Sequence, residues 1–186
     1  MSDQVQMSFS TAANVGRVMM EGGLTLPRVE AVAAVLRAEG LLPKGGRGLS
    51  APMISPSQAL MFVLVTASTP RIQDTFDTVE KIGRMTNPAC SQGLSSWLLG
   101  KIRNEGADND IEDLLINPVG GYAVARLSRG AFRSQYFALP EFWHGRAGDE
   151  LPGGGYIGHC GLIGGQLFKA LARAIETVQV ADGGEG

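Results

Sequence analysis

Residues 24–58 constrain the fold of this chain more than any other run, because they predict a helix, a glycine-rich loop and a second helix in close succession. Thr25 and Pro27 indicate the start of the first helix, since a proline in the first turn has a suitable φ and needs no N–H there. Apolar residues recur at three- and four-residue spacing as far as Leu36, which predicts one apolar face. Gly40 predicts the helix end, because a left-handed residue is least costly without a Cβ.

The second helix of this run is predicted to begin at a capping box. Ser55 is the expected N-cap, Pro56 follows at the first helical position, and Gln58 is the third residue after the cap. In this arrangement each of the two side chains accepts a hydrogen bond from the other residue's backbone N–H. The loop before the helix places Lys44 and Arg47 among glycines, so its backbone can approach a phosphate closely while both cations bind it.

A further helix is predicted before this run. Ser10 or Thr11 is a suitable N-cap for a helix that ends at Gly22 and Gly23. The first part of the chain is therefore expected to form a helix, a tight glycine-containing turn, a helix, a loop and a helix. Two short helices joined by such a turn are typical of the helix-turn-helix motif.

A family resemblance rests on the run VEAVAAVLRAEGLLPKGGRG and the capped helix after it. This stretch resembles the winged helix-turn-helix of the MerR-like kind, in which a second helix, a GLL-type turn and a basic wing precede a packing helix. It is similar also to the amino-terminal DNA-binding domains of phage-encoded proteins, including small terminase subunits. Ala38 and Glu39 stand where the MerR pattern usually places aromatic and basic residues. The resemblance implies that double-stranded DNA is the partner.

The expected DNA contacts follow from how such a motif docks. The amino-terminal residues of a recognition helix contact base edges, so Thr25 and Arg28 are expected there. Flanking cations bind phosphates and add affinity without selecting sequence. The alternative is an ordinary solvated surface, because Glu21, Glu30 and Glu39 lie between the cations. The full set of expected DNA-binding residues is Arg17, Thr25, Arg28, Arg37, Lys44 and Arg47.

The rest of the chain predicts further helices and one β-hairpin. Asp110 is expected to cap a turn through Leu115, and the glycines of residues 153–165 are expected to mark loops. Because an isolated hairpin is marginal in water, it needs a partner surface, either the closing helix or a second subunit. The predicted helices cover residues 72–82, 94–102 and 167–178, and the predicted strands cover 122–127 and 133–139 around the turn Ser128-Arg129-Gly130.

Composition narrows the class of protein. A net charge of -2 and a pI near 5.7 do not indicate a nucleic-acid binder, although a local basic patch acts within the ~10 Å over which salt screens charge. Two cysteines predict a reduced, cytoplasmic protein without a disulfide scaffold. The N-terminus shows no signal-peptide pattern, and no apolar run has membrane-spanning length.

The residue types of the chain allow three other kinds of site besides DNA binding. Residues 153–158 fit the G-x-G-x-x-G dinucleotide pattern, but a loop and not a strand is expected before them. Cys90, His144, His159 and Cys160 have the residue types of a zinc site without its paired spacing. A nucleophilic pair would use Cys160 or Cys90 with His144 as base. None of these is favoured, so no catalytic residue, cofactor or metal is predicted.

The sequence thus predicts a mainly α protein with a small β-hairpin. Residues 1–69 are expected to form a (winged) helix-turn-helix domain, and residues 70–186 an oligomerisation or effector region. The expected function is double-stranded DNA binding in a homo-oligomer, as a transcriptional regulator or as a phage packaging protein. Two alternatives remain open: a structural or assembly protein whose helices bind a protein partner, and a small enzyme that uses the glycine-rich segment or Cys160.

Overall fold

The elements of the fold are taken from a computed structural model that describes residues 10–45, 51–130, 134–142 and 161–176. Helices outnumber strands in residue content, and the strands form a two-stranded and a four-stranded sheet. The helices are α1 (Ala12–Glu21), α2 (Leu26–Ala38), α3 (Pro56–Ser68), α4 (Thr75–Arg84), α5 (Leu94–Glu105) and α6 (Gly165–Glu176). The strands are β1 (Ser10–Thr11), β2 (Met53–Ile54), β3 (Ile111–Asn117), β4 (Tyr122–Leu127), β5 (Ser134–Ala138) and β6 (Gly161–Gly164).

The predicted N-cap of α1 and the predicted C-terminal glycine of α2 are confirmed. The Thr11 side chain accepts a hydrogen bond from the Asn14 N–H at the start of α1. At the end of α2, Gly40 adopts a left-handed φ of 72°, and the N–H of Leu41 donates to the carbonyl of Leu36 at 2.8 Å. This is the hydrogen-bonding pattern of a Schellman cap, in which the chain reverses out of the helix without leaving the last carbonyls unpaired.

Helix α3 lies at the centre of the molecule. Its predicted capping box is confirmed, with the Ser55 and Gln58 side chains each bonded to the other's backbone N–H. The Gln58 side-chain amide also donates to the Leu41 carbonyl at 3.0 Å, which joins the preceding loop to the helix. Nine of the 13 residues of α3 are buried. A helix that is apolar on nearly all sides must be covered by other elements, and here α1, α2, α4 and α5 all contact it.

A small two-stranded sheet joins the start of α1 to the start of α3. Strand β1 pairs antiparallel with β2, and Thr11 lies opposite Met53. The chain therefore leaves α2, passes through the loop that contains Lys44, and returns beside the residues that precede α1.

A four-stranded sheet is present where the sequence predicted only one β-hairpin. Its order is β5-β4-β3-β6, and every neighbouring pair is antiparallel. The predicted hairpin is confirmed as β4 and β5. The turn predicted from Asp110 through Leu115 was wrong, because these residues lead into and form most of β3, whose pairing with β4 and β6 outweighs the local turn signal. The loop predicted for the glycine-rich segment was likewise wrong over Gly161–Gly164, which form strand β6.

The remaining helices confirm their predicted positions. A short 3-10 turn, Ile72–Asp74, leads into α4, and α5 begins at Leu94 as expected. The predicted closing helix is α6, and its expected end at Val178 lies outside the described residues. Trp97 of α5 packs on Phe137 of β5, with ring centroids 5.4 Å apart.

One hydrophobic core extends through both predicted segments. It joins Val15 and Leu36 of the first two helices to Phe137 of the sheet and Phe168 of α6, all buried. The predicted boundary at residue 69 stays a prediction, and the shared core favours a single cooperative unit over two separable ones. In the part of the chain that the structure describes, no helix is long and apolar enough to span a bilayer.

Candidate nucleic-acid interface

The candidate interface is built from α1, the turn after it, α2 and the loop that follows. The turn has four residues, Gly22 to Thr25, and the N–H of Leu24 donates to the Met19 carbonyl at 3.0 Å. Thr25 is the N-cap of α2 by backbone conformation, but its exposed side chain makes no capping hydrogen bond. That hydroxyl and the first N–H groups of α2 therefore stay available to an outside acceptor.

The predicted cations do not share one environment. Arg17 on α1 and Lys44 in the loop are exposed, whereas Arg37 in the last turn of α2 is half-buried. Arg47 lies outside the described residues. The exposure of each cation and the element that carries it therefore define the candidate interface.

The cations of the first two helices and the loop have no carboxylate partners within the described ranges. Every ion pair found there involves residues from Arg71 onward. Arg17, Arg37 and Lys44 are thus not neutralised by neighbours in that part of the chain. A phosphate that binds them would not have to displace an internal ion pair, which lowers the cost of contact.

Arg28 has a different environment, because its guanidinium turns inward to the end of α3. Its Nε donates to the Thr66 carbonyl at 2.7 Å, and an Nη donates to the Thr69 carbonyl. These carbonyls belong to the last turn and C-cap of α3, where backbone acceptors lack helical partners. A cation there also complements the negative end of the helix dipole. The structure therefore gives Arg28 an internal role that its local sequence did not signal, and its expected base contact stays a prediction.

The accessible side of α2 is more apolar than a typical recognition helix. Leu26 is 49% exposed, Ala34 and Ala38 are exposed, and Glu30 is the acidic residue among them. Residues 10–45 contain four cations and three carboxylates, so the net charge of this region is close to neutral. Such a surface offers apolar contact to thymine methyl groups and leaves phosphate binding to the cations at its flanks.

The alternative sites fall almost wholly outside the structure. Residues 153–158, His144, His159 and Cys160 lie outside the described ranges, and Cys90 is exposed in the turn after α4. Among the described residues, no group of three or more His, Cys, Asp or Glu side chains is arranged to hold a metal ion.

One shallow depression lies where the turn between α1 and α2 meets β6 and α6. Its volume is about 130 Å³, and its lining is mostly apolar. Drug-sized ligands occupy pockets of about 300–1,000 Å³, so this depression is too small for most cofactors. Its lining residues are Gly22, Leu24, Ala67, Leu162, Ile163, Gly164, Gln166 and Leu167.

Comparison of the chain with protein-family models, with curated proteins and with solved structures finds no match in any of the three.

Proposed function

We propose that this protein binds double-stranded DNA through a winged helix-turn-helix formed by α1, α2 and the loop between α2 and β2. One observation carries the proposal: two helices are joined by a four-residue glycine turn, and the chain then returns as β2 to pair with the strand before α1. A second helix, a turn and a loop that precede the packing helix α3 are the order that the MerR-like resemblance implies. The biological role would be transcriptional regulation or recognition of phage DNA for packaging.

In the proposed complex, α2 enters the major groove by its amino-terminal end. The exposed Thr25 hydroxyl and the free N–H groups of the first turn contact phosphate or base edges. Arg37 and Lys44 then bind the phosphates of the strand that flanks the groove, and Arg17 those of the opposite strand. Arg28 acts indirectly, since its hydrogen bonds to Thr66 and Thr69 fix α2 against α3.

The salt dependence of binding tests this arrangement. Three phosphate contacts per chain predict that log K falls with log[salt] with a slope of about −3. Lys44→Ala and Arg37→Ala should each weaken binding to a mixed-sequence duplex and reduce that slope by about 1. Arg129→Ala is the matched control, because it removes an exposed cation from the β4–β5 turn, which is not part of the proposed interface. Fluorescence anisotropy at several salt concentrations measures both quantities.

Two results would overturn the proposal. Undetectable binding to mixed duplex DNA at low salt would exclude DNA as the partner. An equal loss of affinity in Arg129→Ala and Lys44→Ala would show that binding follows net charge and not this surface.

A structural or assembly protein is the second candidate, and the apolar exposed side of α2 favours it. Leu26, Ala34 and Ala38 would pack against a protein partner better than against a polyanion. In that case the Arg37 and Lys44 substitutions would leave partner binding unchanged, and Leu26→Glu would abolish it.

A further inference from the structure

The two faces of the four-stranded sheet differ sharply in burial. The inner face packs on the helices, and its side chains are almost fully inaccessible, among them Leu114, Ile116, Ala123, Phe137 and Ile163. Because side chains alternate along a strand, the residues between these lie on the opposite, outer face. That face is half-buried at Leu115, Val124 and Tyr136 and exposed at Leu162 on the β6 edge, whereas Asn117 and Ala138 at the ends of β3 and β5 are buried.

A row of apolar and aromatic side chains crosses this outer face from edge to edge. The strand register places Leu162, Leu115, Val124 and Tyr136 side by side on β6, β3, β4 and β5. Leu162 is 66% exposed, the highest value among the large exposed hydrophobic residues described. Tyr122 stacks on Tyr136, with ring centroids 6.4 Å apart, and widens the row. A continuous apolar row of this kind is typical of an interaction surface.

A charged pair lies beside this row, with its negative group on β3 and its positive group on β4. Asp113 of β3 and Arg126 of β4 are cross-strand neighbours, and the Arg126 Nε donates to Asp113 Oδ1 at 2.8 Å. The Arg126 side chain is 59% exposed, so part of its guanidinium remains free to bind a second carboxylate.

We propose that the outer face of the sheet is the surface on which a second copy of this chain packs, with a two-fold axis that runs along the strands between β3 and β4. This rotation places Leu115 against Val124 of the partner subunit and the exposed Leu162 against the partner's Tyr136. It also places Arg126 over the partner's Asp113, so that the charges of the two copies alternate in sign. The surface is thus complementary to itself in charge, as a two-fold interface requires.

The size of the face predicts how stable this dimer is. Four strands spaced about 4.8 Å apart, with strands of about 20 Å, cover roughly 400 Å² of flat surface. This is below the roughly 800 Å² per partner of a standard stable interface. The dimer is therefore expected to form and dissociate with concentration in the micromolar range. The proposed dimer uses the sheet alone and forms whether or not α1 and α2 bind DNA.

Oligomeric state with matched variants tests the proposal. Sedimentation velocity of the full chain from about 1 to about 200 μM should show a monomer–dimer equilibrium. Leu162→Arg should abolish the dimer, whereas Val119→Arg should leave it unchanged. Val119 is a suitable control because it is 55% exposed and lies in the β3–β4 turn, away from the row. Both variants replace an exposed apolar residue, and circular dichroism verifies that each is folded.

A cross-linking experiment tests the orientation independently. In a Cys90→Ser, Cys160→Ser background, chains with Leu162→Cys are mixed with chains with Tyr136→Cys. The two-fold predicts that a bis-maleimide reagent of about 10 Å, the spacing of two packed sheets, links the two kinds of chain, and that it does not when Val119→Cys replaces Leu162→Cys. A monomer at every concentration, which is the result if another part of the same chain covers the face, would overturn the proposal. A dimer that persists in Leu162→Arg, or Val119→Cys cross-links of equal yield, would overturn it as well.

Discussion

Arg28 shows at the scale of a single residue how function and stability compete for one side chain. Its position in the first turn of α2 predicts a contact with DNA, yet its two hydrogen bonds go to carbonyls 38 and 41 residues along the chain. Both acceptor residues, Thr66 and Thr69, are fully buried. Removal of the guanidinium would leave these acceptors without partners and away from water, which costs more than loss of a surface contact.

We therefore expect Arg28→Ala to lower the free energy of unfolding by about 2 kcal/mol, since hydrogen bonds to charged groups contribute about 1.5–3 kcal/mol each before solvent exposure weakens them. Arg28→Lys should recover only part of this, because an ammonium lacks the fork that reaches two carbonyls. Arg17→Ala, at an exposed position of α1, should change stability by less than about 0.5 kcal/mol. Urea unfolding measures all three, and an unchanged midpoint in Arg28→Ala would contradict the capping role.

At the scale of elements, the junction between β6 and α6 requires a glycine at one position and tolerates a side chain at the next. A Cβ at Gly165 would overlap the Ile111 carbonyl oxygen and lie 2.9 Å from that of Glu112. A Cβ at Gly164 meets nothing within 4 Å. Gly165→Ala must therefore displace β3 or α6, and we expect it to cost more than about 2 kcal/mol or to prevent folding. Gly164→Ala should be neutral or slightly stabilising, and thermal melts of the pair compare them directly. Equal melting temperatures would disprove this close approach.

Elements with local signals were predicted from the sequence, whereas those that depend on long-range contacts, such as β6 at this junction, were not. The first three helices have local signals, such as the Ser55–Gln58 capping box and Gly40, and these were confirmed. Strand β6 has two glycines in four residues, so its local pattern indicates a loop. Its glycines serve close packing instead: a Cβ at Gly161 would lie 2.7 Å from the Ala67 carbonyl oxygen. Such contacts depend on residues distant in the chain, and so does the inward turn of Arg28, which is why local patterns missed both.

At the scale of the whole molecule, α3 decides whether the first helices can exist without the sheet. Its buried side chains form one surface under α1 and α2, which precede it in the chain, and another under α4, α5 and β6, which follow it. A fragment of residues 1–69 would expose the second of these surfaces to water. The free energy lost with this apolar burial would exceed the free energy of unfolding of so small a helical unit, because such units are only marginally stable.

The intact protein is therefore expected to unfold in one cooperative transition. Far-UV circular dichroism reports on α1 to α6, and Trp97 fluorescence in a Trp143→Phe background reports on the contact between α5 and β5. The two signals should give the same urea midpoint, which is the test for two-state behaviour. The 1–69 fragment should lack a cooperative melt, for the reason that α3 is left half-uncovered. Separate midpoints, or a fragment that melts cooperatively and still binds DNA, would instead establish residues 1–69 as an independent domain. In that case the contacts of α3 with α1 and α2 would be sufficient to stabilise it.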